Sequence, residues 1–254
     1  MGPQGSYLGS RPCIVVLHEV WGPDAHIGKV CKRLGKSGFS ATAPSLYKGY
    51  ESLLTPPNIR RAMDVVWSLS LEERRDKRKM AREVARKGAG SKTQEVLSVL
   101  YDREFRDGML EIVIEAVRDA KARHERVATL GFSLGGGLSL VAATKPGRPD
   151  AAVAYCAEPP NPSAFRGIAI PTLVICASRD ELMNPLMPAF MEAALAGGSD
   201  LLVKTIPNTQ HDFFNEGMKE RYNRAAAEDA WETVIWFLTR ALVAKLPSQR
   251  NNSG

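Results

Sequence analysis

The sequence alternates short apolar runs, which are typical of buried strands, with longer amphipathic stretches, which are typical of helices. Strands that alternate with helices pair in parallel through crossover connections. The sequence therefore predicts an α/β protein with a mostly parallel sheet and helices on both of its faces. Six runs are predicted as strands: residues 12–17, 39–44, 127–132, 151–156, 172–177 and 201–206.

The alternation stops between Thr55 and Arg106, where no strand-like run occurs. Thr55-Pro56 is typical of a helix start, and two capping-box spacings, Ser70 to Glu73 and Ser91 to Gln94, predict further helices. We interpret residues 55–106 as a helical, cap-like insertion, called the insertion below. Residues 1–247, including the insertion, are predicted to form a single domain, and residues 248–254 a disordered tail.

Composition restricts the class of protein. The chain has 254 residues, of which 44% are hydrophobic and 24% charged, as in a globular domain with a large core. No apolar run reaches the length of a membrane span, and the first residues lack the pattern of a signal peptide, so we expect a cytoplasmic protein. The four cysteines are interpreted as free thiols in a reducing compartment. No cofactor and no metal site is expected; a metal held by His18, Glu19 and His26 is a weaker alternative.

The formal net charge of +6 is concentrated in the insertion. Between Arg60 and Lys92 the sequence has eleven Lys or Arg and five Asp or Glu, so this segment carries the whole excess. Nucleic-acid binders normally add base-reading aromatic side chains or a known motif, and Trp67 is the one aromatic residue of this segment. We therefore interpret the charge as a solvated helical face, and expect neither a nucleic-acid nor a membrane partner. The oligomeric state is left open.

A glycine-rich turn suggests chemistry. Gly131-Phe132-Ser133-Leu134-Gly135 joins a predicted strand to a predicted helix, and two more glycines follow. So sharp a turn needs small flanking residues and exposes its central hydroxyl at a helix N-terminus, where the helix dipole favours a developing negative charge. The alternative is an ordinary serine that caps a helix.

A serine nucleophile needs a base, and the base needs an orienting acid. Asp180 follows the fifth predicted strand and His211 follows the sixth, so both are expected at the same sheet edge as Ser133. Each alone is an ordinary loop residue, but the chain order Ser–Asp–His is the order of α/β hydrolases and predicts a catalytic triad. The backbone amides of Val20 and Leu134 are the predicted oxyanion hole.

Four segments together resemble the dienelactone hydrolase family of α/β hydrolases: LHEVWGPDAHI, GFSLGG, SRDELMNP and QHDFF. The resemblance covers about residues 12–242, apart from the insertion. It implies an α/β-hydrolase fold, the same triad and oxyanion hole, and a role for Glu19 beside the nucleophile. The alternative for Glu19 is a carboxylate that closes its loop. The best-known family members carry cysteine at the position of Ser133.

A cap over the carboxyl ends of the strands predicts a substrate pocket lined by Trp21, Tyr47, Met183 and Phe214. The leading hypothesis is a serine hydrolase that cleaves small carboxylic esters or lactones through an acyl-enzyme. The alternatives are a non-catalytic protein that binds an anionic partner through the insertion, and an acyltransferase. The best-known family members bind the substrate carboxylate partly through an arginine four residues after the triad histidine. Asn215 occupies that position here and predicts a preference for short, uncharged esters. The alternative is that Arg179 or an arginine of the insertion binds a substrate carboxylate instead.

Overall fold

The computed structural model describes residues 10–70, 72–159 and 168–243. In these residues six strands form one parallel sheet in the order β2-β1-β3-β4-β5-β6. Because all neighbours run in parallel, the carboxyl ends of the strands meet at one edge, called the carboxyl edge below. The strands are β1 (Cys13–Leu17), β2 (Ser40–Thr42), β3 (Val127–Phe132), β4 (Ala151–Tyr155), β5 (Thr172–Ala177) and β6 (Leu201–Ile206).

Helices cover both faces of the sheet, as predicted. Alternate residues of β1 face opposite sides: Ile14 and Val16 pack with α1 and α8, whereas Val15 and Leu17 pack with α5 and the insertion. Helices α6 and α7 cover the same side as α5, over β4 and β5. The described helices are α1 (Ala25–Lys36), α2 (Pro56–Trp67), α3 (Lys77–Arg86), α4 (Gly90–Leu100), α5 (Arg103–Lys121), α6 (Leu134–Ala142), α7 (Met187–Ala196) and α8 (Arg224–Leu242).

The insertion contains α2, α3 and α4, and no strand occurs in its described part. The predicted box between Ser70 and Glu73 forms, since each residue's N–H donates to the other's side chain. It begins a short 3₁₀ turn, and α3 itself begins after Asp76, which caps it. The second predicted box is wrong: α4 begins at Gly90, before Ser91, and has no side-chain cap.

Three further predictions concern the molecule as a whole. The four cysteines are free, as predicted. Throughout the described ranges, no helix combines the length and the apolar character needed to cross a membrane. The tail predicted for residues 248–254 lies outside the described residues.

Candidate active site

The turn between β3 and α6 holds Ser133 in a strained conformation. Its φ is 47° and its ψ −109°, which a residue with a side chain rarely adopts. The Ser133 N–H donates to the Tyr155 carbonyl (2.8 Å), and the Ser133 carbonyl accepts from the Gly137 N–H (3.0 Å). A Cβ on Gly131 would lie 2.1 Å from the carbonyl oxygen of Gly135, so only glycine fits there. The hydroxyl makes no capping hydrogen bond to α6, which argues against the ordinary N-cap interpretation.

Ser133, His211 and Asp180 meet at the carboxyl edge in one hydrogen-bonded chain. The His211 Nε2 lies 2.9 Å from the Ser133 Oγ, and its Nδ1 lies 2.7 Å from the Asp180 Oδ2. The other Asp180 oxygen accepts from the N–H groups of Leu182 and Met183. An acceptor-only carboxylate at Nδ1 places the ring proton there and leaves Nε2 free to accept the serine proton.

The surroundings of His211 favour its charged form. Burial lowers the pKa of His211, but the hydrogen bond to Asp180 and the negative charges of Asp212 and Asp180 outweigh burial. The pKa of His211 therefore lies above its ordinary value. An imidazole with this balance accepts a proton readily.

Glu19 is fully buried beside the nucleophile. Its Oε1 accepts a hydrogen bond from Asn215 Nδ2, whereas its Oε2 has no hydrogen-bond partner among the described residues. Burial and the charge of Asp212 raise the pKa of Glu19 well above its usual range. The side chain therefore keeps its proton at pH values where an exposed glutamate is ionised.

Val20 and Leu134, whose amides are the predicted oxyanion hole, line the same cavity as Ser133 and His211. Neither amide donates to another group in the described part of the chain. His18 fixes the peptide that carries the Val20 N–H: its Nδ1 donates to the Glu19 carbonyl (2.7 Å), and its Nε2 accepts from the Leu46 N–H (2.9 Å). Because a trans peptide points C=O and N–H in opposite directions, this clamp aims the Val20 N–H away from His18.

A cavity of about 180 Å³ lies over Ser133, and the insertion forms part of its wall. Trp21 and Met183 line it, as predicted. The prediction for Tyr47 and Phe214 is wrong, because neither belongs to the lining. The Tyr47 ring is buried behind the wall, and its hydroxyl donates to the Val20 carbonyl. Phe214 packs against Phe132 in the core on the opposite face of the sheet.

Two arginines of the wall were not predicted from the sequence. Arg74 from the insertion and Arg106 from α5 line the cavity together with Tyr101. The Nε of Arg74 donates to the carbonyls of Val66 and Leu69, and that of Arg106 to the Leu100 carbonyl. These bonds fix the stem of each side chain, and the terminal nitrogens have no hydrogen-bond partner among the described residues. The sequence does not indicate which arginines of a charged segment face the cavity.

A buried thiol lies next to the triad. The potential metal-ligating atoms of Cys156, Asp180 and His211 all lie within 4.8 Å of one another, the one such group found among the described residues. Burial, and then the charge of Asp180, raise the pKa of Cys156 well above its ordinary value. The weaker metal alternative finds no support at His18, because backbone atoms occupy both of its ring nitrogens.

Comparison with known proteins identifies the family. Residues 1–242 match the model of the dienelactone hydrolase family. The chain belongs to this family. A relative from Saccharolobus solfataricus, named "Putative carboxymethylenebutenolidase", is 32% identical over 228 residues, which cover 89% of this chain and 88% of the relative. A protein of the same name from Aquifex aeolicus is 26% identical over 233 residues, which cover 89% of this chain and 87% of the relative.

Solved structures confirm the α/β-hydrolase fold. The crystal structure of a dienelactone hydrolase-like promiscuous phosphotriesterase from metagenomic libraries has a TM-score of 0.65 at 19% identity, over 92% of this chain and 88% of that one. A thermophilic esterase from Thermogutta terrifontis has a TM-score of 0.56 at 13% identity, over 96% and 87% of the two chains. At these identities the likeness shows the fold alone.

Proposed function

We propose that this member of the dienelactone hydrolase family is a serine hydrolase that cleaves small carboxylic esters or lactones through an acyl-enzyme. The observation that carries the proposal is the continuous chain from the Ser133 Oγ through the His211 ring to Asp180, at the wall of a cavity large enough for a small acyl group. A serine hydroxyl is a weak nucleophile unless a base of this kind accepts its proton.

The reaction follows from this geometry. The His211 Nε2 takes the proton of Ser133 as the Oγ attacks the substrate carbonyl, and the developing oxyanion accepts from the amides of Val20 and Leu134. The tetrahedral intermediate expels the alcohol, which takes the proton from His211, and leaves an ester on Ser133. Water then attacks this ester with His211 again as the base, and the carboxylic acid is released.

Cys156 is a weaker candidate for the nucleophile, although thiols are intrinsically more nucleophilic than hydroxyls. The Cys156 side chain is buried and does not line the cavity, whereas Ser133 does. Burial keeps the thiol protonated, and only a thiolate attacks efficiently. The Nε2 of His211 makes its hydrogen bond to Ser133.

The cavity favours substrates that carry a negative charge. The Asn215 amide donates a hydrogen bond to Glu19, and Asn215 does not line the cavity. It is therefore not the group that contacts the substrate. Arg74 and Arg106 contribute two cations to the wall, whereas the carboxylates of the same lining are those of Asp212, which is paired with Arg221, and of the exposed Glu158. This revises the preference for uncharged esters predicted from Asn215, and we assign the protein to esters or lactones with a carboxylate or a similar anionic group.

The experiment is labelling with a fluorophosphonate, combined with ester hydrolysis. Ser133→Ala should abolish labelling and lower kcat by up to about 10⁶-fold, whereas the control Cys156→Ser should retain both. His211→Ala should lose a similar factor, and the double variant little more, because the two residues act as a unit. Labelling and activity that survive in Ser133→Ala but are lost in Cys156→Ser would refute the proposal. Product analysis with added alcohols distinguishes hydrolysis from acyl transfer.

A further inference from the structure

We infer that Asp212 is a positioning residue of this site. Held in place by Arg221, its carboxylate supports the positive charge that His211 acquires during the reaction, from the side of the ring opposite Asp180. The inference rests on the proposed function, because it takes His211 as the base that receives the serine proton.

The geometry places Asp212 at the reactive nitrogen. The side chain is buried, and its Oδ1 lies 3.6 Å from the His211 Nε2, the nitrogen that also contacts Ser133. Its Oδ2 accepts a hydrogen bond from the Arg221 Nη1 at 3.1 Å. Asp212 has a φ of 67°, in the left-handed region that aspartate and asparagine tolerate better than most residues.

This position matters once the proton has moved. Before attack, the Nε2 is occupied by the Ser133 hydroxyl. After attack the ring is an imidazolium, and the Ser133 oxygen, now bonded to the carbon of the tetrahedral intermediate, is a poorer partner for its Nε2–H. Asp212 then offers a second negative charge near that proton, while Asp180 holds the other ring nitrogen. A carboxylate at each side stabilises the cation more than either does alone.

Several charged or titratable groups surround the ring of His211. Asp180 and Asp212 are the two acidic groups whose charges raise the pKa of His211, against the opposing effect of burial. Glu19 and Cys156 lie beside the site, and the pKa of each is raised well above its usual range, which favours their neutral forms. The wall of the cavity further carries Arg74, Arg106 and the exposed Glu158.

Arg221 acts in the opposite direction. Its guanidinium lies 5.0 Å from the centre of the Trp67 ring at the end of α2 and donates to Asp212. The charge of Arg221 lowers the pKa of His211 and partly offsets the effect of Asp212. Removal of Asp212 and removal of Arg221 must therefore shift the titration of His211 in opposite directions.

The experiment compares Asp212→Asn, Arg221→Gln and the control Arg224→Gln, which removes an exposed cation nearby. The acid limb of the kcat/KM profile should move to lower pH by about 1 unit in Asp212→Asn, move to higher pH in Arg221→Gln, and stay in place in the control. Asn keeps the size of Asp and its tolerance of the left-handed conformation, and Arg221→Gln provides a second test if Asp212→Asn folds poorly.

A second readout does not need activity. With only four histidines in the chain, the His211 ring can be assigned and titrated by NMR in a Ser133→Ala background. Opposite shifts in the two variants support the inference, and shifts that are absent or of the same sign overturn it. Failure of the proposed function appears elsewhere, as activity that persists in Ser133→Ala.

Discussion

At the scale of single residues, His18 shows how a side chain outside the triad fixes a reacting group. Burial lowers the pKa of His18 to about 4, so the ring is neutral at neutral pH. A neutral ring has one donor and one acceptor, and the Glu19 carbonyl and the Leu46 N–H use both. The orientation of the Val20 amide, one of the two proposed oxyanion donors, thus depends on a histidine that does not contact the substrate cavity.

We expect His18→Leu to lower kcat by about 10- to 100-fold with little change in KM, since a misaligned oxyanion donor weakens the transition state more than the bound substrate. His18→Gln should recover part of the loss, because an amide again offers one donor and one acceptor. Steady-state kinetics on an ester such as p-nitrophenyl butyrate, with thermal melting to exclude misfolding, measure both effects. A change confined to KM would contradict the role of His18 in orienting the Val20 amide.

The sequence predicts which residues meet where the end of a strand places them. Ser133, Asp180 and His211 each follow a strand, and their order along the chain indicates the triad. The role of His18 in holding the Val20 amide was not predicted, because its partners are backbone groups of Glu19 and Leu46, which no residue type or motif marks in the sequence. Tyr47 was wrongly predicted to line the pocket, since a sequence pattern does not show to which side of a wall a ring turns.

At the scale of elements, the glycines after β3 allow strand and helix to pass unusually closely. A Cβ on Gly135 would lie 2.4 Å from the Leu17 carbonyl oxygen of β1, which is too close for any side chain. Gly28 in α1 is a matched control, because a Cβ there meets nothing within 4 Å.

We expect Gly135→Ala to lower the free energy of unfolding by about 3 kcal/mol or more, since backbone must move to make room. Gly28→Ala should instead raise it by up to about 1 kcal/mol, through the helix propensity of alanine. Urea unfolding of the two variants measures the difference. Similar values for both would mean that α6 does not approach β1 this closely.

The insertion illustrates the limit of prediction for a whole element. Its helical character and its basic charge follow from capping residues and composition. The charge pattern alone predicted a solvated face. The packing of α3 and the turn before it against α2 decides which cations face the cavity instead. Arg74 and Arg106 line the cavity, whereas Arg82 is exposed on α3.

This distinction gives a test of the proposed substrate class. Arg74→Met and Arg106→Met should each lower kcat/KM for an ester with a carboxylate by about 10- to 100-fold, the loss expected for one charge-assisted hydrogen bond. The kcat/KM for a neutral ester of the same size should change little, and Arg82→Gln should affect neither. Equal losses on charged and neutral esters would show that these arginines support the wall rather than recognise the charge.

At the scale of the whole molecule, the free energy of unfolding depends on pH through two buried groups at the carboxyl edge, His18 and Glu19. Their effects have opposite signs. The lowered pKa of His18 means that its contribution is present above pH 6.5, the ordinary histidine value, and is lost as pH falls towards about 4. The raised pKa of Glu19 means that its contribution is present below pH 4.5 and is lost as pH rises towards its value in the folded protein. Between pH 4.5 and 6.5 the two slopes oppose each other.

The substitution Glu19→Gln should separate the contribution of Glu19 to this pH dependence from that of His18. Glutamine resembles the protonated acid, so the hydrogen bond from Asn215 remains and the new amide can donate towards Asp212. From pH 4.5 upward, the free energy of unfolding of the variant should therefore increase relative to the wild type by about 1.4 kcal/mol per pH unit, until pH reaches the pKa of Glu19 in the folded protein. Urea unfolding at pH 4.5, 5.5 and 6.5 measures this difference, with the exposed Glu181→Gln as the control. A difference that stays constant over this range would show that Glu19 is ionised in the folded protein, and that His18 alone sets the slope.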